Sequence, residues 1–136
     1  MTTPQASVIL LRPDGALILQ LDPHASDYSS EFPLAHPFQL ELWPTETPVQ
    51  AAARSLLQHT NLDHDPAQLI YWRTYSPVHL FIRRLEHPRS LRLHRRAQAV
   101  TVHGPRDLGR LNVDGLTRRA ISDYWLGLPS VQKALA

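Results

Sequence analysis

A carboxylate, a guanidinium, a hydroxyl, an amide and an imidazole lie between Glu46 and His59, and this stretch holds the residues with the most chemistry to offer. Glu46 precedes Arg54 by eight positions, and Ser55, Gln58 and His59 follow soon after. None of the last three is an anion, so a hard divalent cation would find little charge there. His59 with Asp63, His64 and Asp65 has the residue types that suit a transition metal, but the spacing matches no established site. A second group is Arg83, Arg84, Arg89, Arg92, Arg95 and Arg96, whose guanidinium forks suit bidentate bonds to phosphate. A third is Trp43, Tyr71, Trp72 and Tyr75, which offer ring faces to a nucleobase, although aromatic residues at strand positions more often fill a core. There is no cysteine, which excludes thiol catalysis, iron–sulfur clusters and disulfide scaffolds and leaves His, Asp and Glu as metal ligands. No serine and histidine share a recognisable triad arrangement.

These side chains need elements to position them. Val8–Leu11 and Ala16–Leu21 flank Pro13-Asp14-Gly15 and read as a hairpin over 7–22. Residues 22–44 carry four prolines and no period, so they read as a loop with a short strand at 38–42, where Phe38, Leu40 and Leu42 alternate with polar neighbours. A helix is predicted over 48–60. Thr47 caps it, Pro48 takes its first position, Gln50 completes a capping box and Asn61 supplies a left-handed terminator. Val49, Ala52, Ala53, Leu56 and Leu57 form its apolar stripe, which puts Arg54, Ser55, Gln58 and His59 on the opposite, polar face. Strands follow at 69–75 and 78–85, joined at Ser76-Pro77, with another at 97–102. Asp114 opens a closing helix that carries Leu116, Ala120, Ile121, Tyr124 and Trp125. Strands alternating with amphipathic helices predict an α/β fold with a mixed sheet.

The segment from Glu46 to Leu62 resembles the signature of the Nudix (MutT-like) hydrolase family, G-x5-E-x7-R-E-U-x-E-E-x-G-U with U aliphatic. Glu46 and Arg54 match at the family separation, and Leu56 and Leu62 match the aliphatic positions. The order of elements agrees across roughly residues 5 to 128. The resemblance implies a Nudix-like α/β/α sandwich with a mixed β-sheet. It also implies that Glu46 and Arg54 orient the loop–helix–loop as an ion pair. The departures are Leu40 at the first glycine, Ser55, Gln58 and His59 at three glutamates, and Asn61 at the late glycine. Active members use those glutamates to hold Mg2+ or Mn2+ against a diphosphate, where the ion polarises phosphorus and activates water. The resemblance is therefore to a degenerate Nudix box.

Length and charge bound the rest. The 136 residues, 43% hydrophobic and 19% charged, predict a single globular domain over 1–136. No apolar run approaches the roughly 20 residues of a membrane span and no signal-peptide pattern is present, so a cytoplasmic location is expected. The net charge of +2 is unevenly divided: residues 1–82 hold three Arg against eight acids, while 83–119 hold ten Arg against three acids. Three functions are in view. The first is a non-catalytic or very weakly active nucleotide- or diphosphate-binding module, with the ligand between the sheet and the 48–60 helix. Its remnant motif is Glu46, Arg54, Ser55, Gln58 and His59; Arg54, Trp72, Arg83 and Arg84 are candidate ligand-binding residues. It needs no cofactor. The second is a hydrolase of nucleoside diphosphate derivatives that uses Mg2+ or Mn2+ through non-standard ligands, with Glu46 and His59 as metal candidates and Glu41 or a later acid in support. The third is a nucleic-acid or protein-binding surface on the 83–119 stretch, whose binding would weaken steeply with salt. A homodimer is a further expectation, since small domains with an extended proline loop often pair.

Overall fold

The computed structural model describes residues 3–22, 34–62, 65–86, 91–94 and 98–127. The hairpin expected at the start forms from β1 (Gln5–Leu11) and β2 (Leu17–Asp22). Its turn closes through Arg12 N–H to the Ala16 carbonyl (2.8 Å) and Gly15 N–H to the Arg12 carbonyl (3.0 Å). Gly15 sits at φ +90°, where a side chain would be strained.

The two strands pair directly only at Leu10↔Ile18 and Leu11↔Leu17, and then diverge. Beyond that point β1 takes β4 (Phe38–Glu41) on the same edge, and β2 takes β3 (Leu34–His36). On its other edge β1 pairs in parallel with β6 (Val78–Arg84), which is antiparallel to β5 (Ile70–Tyr75). The other edge of β2 carries β7 (Gln98–Val102), and β3 pairs in parallel with β8 (Asn112–Val113). The result is one mixed, curled sheet in two splayed halves, as the α/β expectation requires.

Alternation along the strands divides the core between two faces. Ala6, Val8, Leu10, Ile18, Phe38 and Phe81 pack with α1 (Pro48–His59). On the opposite face Ile9, Leu17, Leu19, Leu80 and Ile82 pack with α3 (Gly115–Leu126), after the short α2 (Pro105–Gly109). A helix on each face completes the α/β/α sandwich.

The start of α1 is as predicted. The Thr47 hydroxyl accepts from Gln50 N–H (3.4 Å), and the Gln50 side chain accepts from Thr47 N–H (3.0 Å). Its orientation differs from the expected stripe. Ala51, Ala52, Ala53, Ser55 and Leu56 are buried, Val49 is half-buried and Leu57 is 47% exposed. The small Ala and Ser side chains let the helix lie close to β1 and β4. With Ala51, Ala52, Ser55 and Leu56 turned to the sheet, Leu57 faces outward. At its end the chain leaves the helix at Thr60, one residue before Asn61, in an extended conformation (φ −137°, ψ 170°). Residues 91–94 run alongside, with a bridge between Thr60 and Leu93, Asn61 N–H donating to the Arg92 carbonyl (2.9 Å), and Arg92 N–H donating to Asn61 Oδ1 (2.6 Å).

Candidate functional site

The two ends of α1 hold the residues singled out in the signature. At its start, Glu46 Oε1 accepts from Trp43 N–H (3.0 Å) and Arg54 Nη2 (2.9 Å), while Oε2 accepts from Arg54 Nε (2.9 Å). Arg54 Nη2 also donates to the Glu41 carbonyl (2.7 Å), and the guanidinium lies 3.8 Å from the centroid of the Trp43 ring. The Glu46 side chain is 8% exposed. Its hydrogen bond from Arg54 holds the carboxyl below the usual carboxylate range; desolvation opposes this and the Trp43 amide assists it. Both carboxylate oxygens are thus occupied by donors from the protein itself.

At the far end the groups are neutral. Ser55 was expected on the polar face. Instead it is fully buried, and its hydroxyl donates to the Ala52 carbonyl (2.7 Å), which satisfies it inside the core. Gln58 is exposed. His59 is half-buried, with Nδ1 3.1 Å from the Ser55 carbonyl, so that nitrogen carries the proton. Desolvation lowers the pKa of His59, and the nearby His36 and His94 lower it further. His94 also closes the helix: its N–H donates to the His59 carbonyl (3.0 Å), and its Nδ1 reaches the Gln58 carbonyl (3.3 Å). His36 (on β3) and His94 reach this site from distant parts of the chain, and no local sequence pattern pointed to them.

These donors do not fit Mg2+ or Mn2+ of the kind the resemblance implies. The sequence of α1, PVQAAARSLLQH, contains no carboxylate. The Ser55 hydroxyl is committed to Ala52, and Glu46 to Arg54. Glu46 and His59 lie at opposite ends of a 12-residue helix about 18 Å long, so one ion cannot take both. Among the described residues no three His, Asp or Glu side chains converge to hold a metal. Asp63 and His64 lie outside the described residues, and Asp65 caps a short 3-10 turn through the Ala67 N–H (3.0 Å).

The remaining candidates are divided between the faces of the sheet. Trp72 faces α3, opposite to Tyr71, beside a bulge between Tyr71 and Arg73 in β5, and meets the Tyr124 ring edge-on at 5.8 Å. Arg83 and Arg84 are consecutive on β6 and so alternate. Arg83 is buried on the α1 side; Arg84 is exposed on the α3 side, near enough to Tyr124 to act on its ionisation. Arg54 and Arg83 therefore share one side of the sheet, Trp72 and Arg84 the other. Tyr75 donates to Asp123 Oδ2 (2.7 Å), and Tyr71 pairs with Thr74 (2.7 Å) and packs edge-on against Phe81 (5.6 Å). The described arginines of the 83–119 stretch are spread over β6, the 91–94 segment, α2 with the turn after it, and α3. A cavity of about 530 Å³ lies beside the β5–β6 turn, lined by Thr74, Tyr75, Ser76, Gly115, Leu116 and Arg119. No described helix is long and apolar enough to cross a membrane.

No protein-family profile matches the sequence, and no curated protein matches it by sequence. Solved structures do match the fold. A Nudix hydrolase from M. smegmatis, RenU, superposes with a TM-score of 0.62 at 18% identity, over 98% of this chain and 88% of its own. A C. elegans Ap4A hydrolase in a binary complex gives 0.60 at 16% identity, over 93% of this chain and 99% of its own. A bifunctional NMN adenylyltransferase/ADP ribose pyrophosphatase from Francisella tularensis, complexed with AMP and a manganese ion, gives 0.61 at 15% identity. That match spans 92% of this chain but 41% of the other. At these identities the likeness is one of architecture, and the architecture of this chain is the Nudix fold.

Proposed function

We propose that this chain is a Nudix-fold module that binds a nucleotide or another diphosphate-containing small molecule and has lost metal-dependent hydrolysis. One observation carries the reading: α1 keeps the Glu46–Arg54 frame at its start, while Ser55, Gln58 and His59 leave it without an anion where the signature has three glutamates. A Mg2+ ion needs hard, anionic oxygen ligands, and a buried hydroxyl, an amide and an imidazole do not supply them. Binding rests on the fold and on analogy with its hydrolase neighbours, so it is tested separately from turnover.

Phosphate or mononucleotide release from a panel of nucleoside diphosphate derivatives, with Mg2+ and Mn2+ at neutral and alkaline pH, tests the catalytic half. Folded protein is expected to give no release above background, and metal-dependent turnover overturns this half. Calorimetric titration with ADP and with pyrophosphate tests the binding half, and absence of binding by both overturns it.

A further inference from the structure

We propose that the outer face of Trp43 is a stacking platform for a neutral planar heterocycle of the nucleobase class. This deepens the nucleotide reading by naming the part of the ligand that is held, and it rests on that reading.

Trp43 differs from the other described aromatic side chains. Trp72 and Tyr71 are engaged edge-on with Tyr124 and Phe81, and Tyr75 is held by Asp123. Trp43 has a guanidinium 3.8 Å from its ring centroid yet remains 60% exposed, so its other face meets solvent. The indole stands on a fixed support: the Trp43 backbone N–H is bonded to Glu46, and the Arg54 behind the ring is held by both Glu46 oxygens and the Glu41 carbonyl. A ring packed on an ordered guanidinium loses less freedom when a ligand stacks on it than one free on both faces.

The cation also selects the ligand. A guanidinium on one face draws on the ring's π density and weakens attraction for a second cation on the other. Dispersion and offset stacking with a neutral ring remain, and every nucleobase has such a face. The Glu46 charge is matched by Arg54, and Glu41, two residues before Trp43, leaves this loop with a net negative charge, so it favours the base over the phosphates. Base and diphosphate are then held by different groups, which allows them to be tested apart.

The experiment is calorimetric titration of the folded wild type, Trp43→Ala and Trp43→Phe with three probes: adenosine, ADP and pyrophosphate. In Trp43→Ala, adenosine and ADP should bind roughly five- to a hundred-fold more weakly, the range that loss of one base–aromatic stack produces. Trp43→Phe should retain most of the affinity, and pyrophosphate binding should be the same in all three proteins. Adenosine failing to bind the wild type, or adenosine and ADP binding Trp43→Ala as tightly as the wild type, overturns the platform. If pyrophosphate or ADP still binds in that case, the broader binding reading survives. If none of the three probes binds folded wild type, both readings fall.

Discussion

The two ends of α1 are built on opposite principles. The N-terminal end is charged and fully paired: Thr47 and Gln50 cap each other, and Glu46 spends both oxygens on Arg54 and the Trp43 amide. The C-terminal end is uncharged. Ser55 is sealed in the core, His59 resists protonation, and His94 reaches in to satisfy the last carbonyls. A carboxylate locked to a guanidinium holds a loop in place, whereas a carboxylate left open at the other end would hold a cation. This helix keeps the first arrangement and has no residue for the second. Orientation of the loop–helix–loop and the charge needed for metal chemistry are thus separable features of one helix.

Placing a carboxylate at the neutral end is the most disruptive way to test that contrast. Ser55→Glu puts a longer, ionisable side chain where the native one is 0% exposed. The expected loss is about 3 kcal/mol or more in urea unfolding, from burying an unpaired charge and overpacking. Gln58→Glu, on the exposed side, should stay within about 0.5 kcal/mol of wild type. If Ser55→Glu is as stable as the wild type, the inner face has room for a ligand carboxylate and the contrast fails.

Breaking the charged end should cost somewhat less. Glu46→Gln keeps the shape but turns one acceptor into a donor facing Arg54, for an expected loss of about 1–3 kcal/mol. Because the native carboxyl is held below its ordinary range, its stabilisation is present at pH above the usual carboxylate pKa. It is lost as pH falls through the depressed native value. Urea midpoints of wild type and variant should therefore converge on acidification. A gap that stays constant down to the lowest pH at which both fold would mean that the pair contributes nothing through its charge.

The difference between the ends also explains what could be read from sequence. The start of α1 was legible because its bonds are local: Thr47 with Gln50, and Glu46 with an Arg54 two turns into the helix. The opening hairpin was legible for the same reason, through Pro13-Asp14-Gly15 and alternating apolar residues. The far end was not, because its partners come from elsewhere: His36 from β3, Leu93 and His94 from the 91–94 segment. The elements missed outright, β3, β8 and α2, are two to five residues long and too short to show a period. Ser55 misled for a different reason. A hydroxyl that bonds its own helix backbone can be as buried as an alanine, and residue polarity alone does not reveal this. Which residues of β5 share a face with Trp72 was not legible either, since the register shift between Tyr71 and Arg73 breaks the strand period there.

The smallest expected effect is the one most specific to the neutral end. Burial, with His36 and His94 nearby, holds the native pKa of His59 below its ordinary value of about 6.5. As pH falls through that ordinary value the unfolded chain takes up a proton that the folded chain refuses, so stability declines. The decline stops once the pH passes below the native pKa, where both states are protonated. Its window opens at higher pH than that of Glu46, so a profile of unfolding free energy from pH 7.5 down to the lowest pH at which the protein folds follows both ends in one experiment. His59→Gln should flatten the upper limb and leave the lower, carboxylate limb in place; Glu46→Gln should do the reverse. If His59→Gln leaves the upper limb unchanged, the imidazole is not the group that the folded protein keeps uncharged, and the neutrality of this end must rest on Ser55 and Gln58 alone.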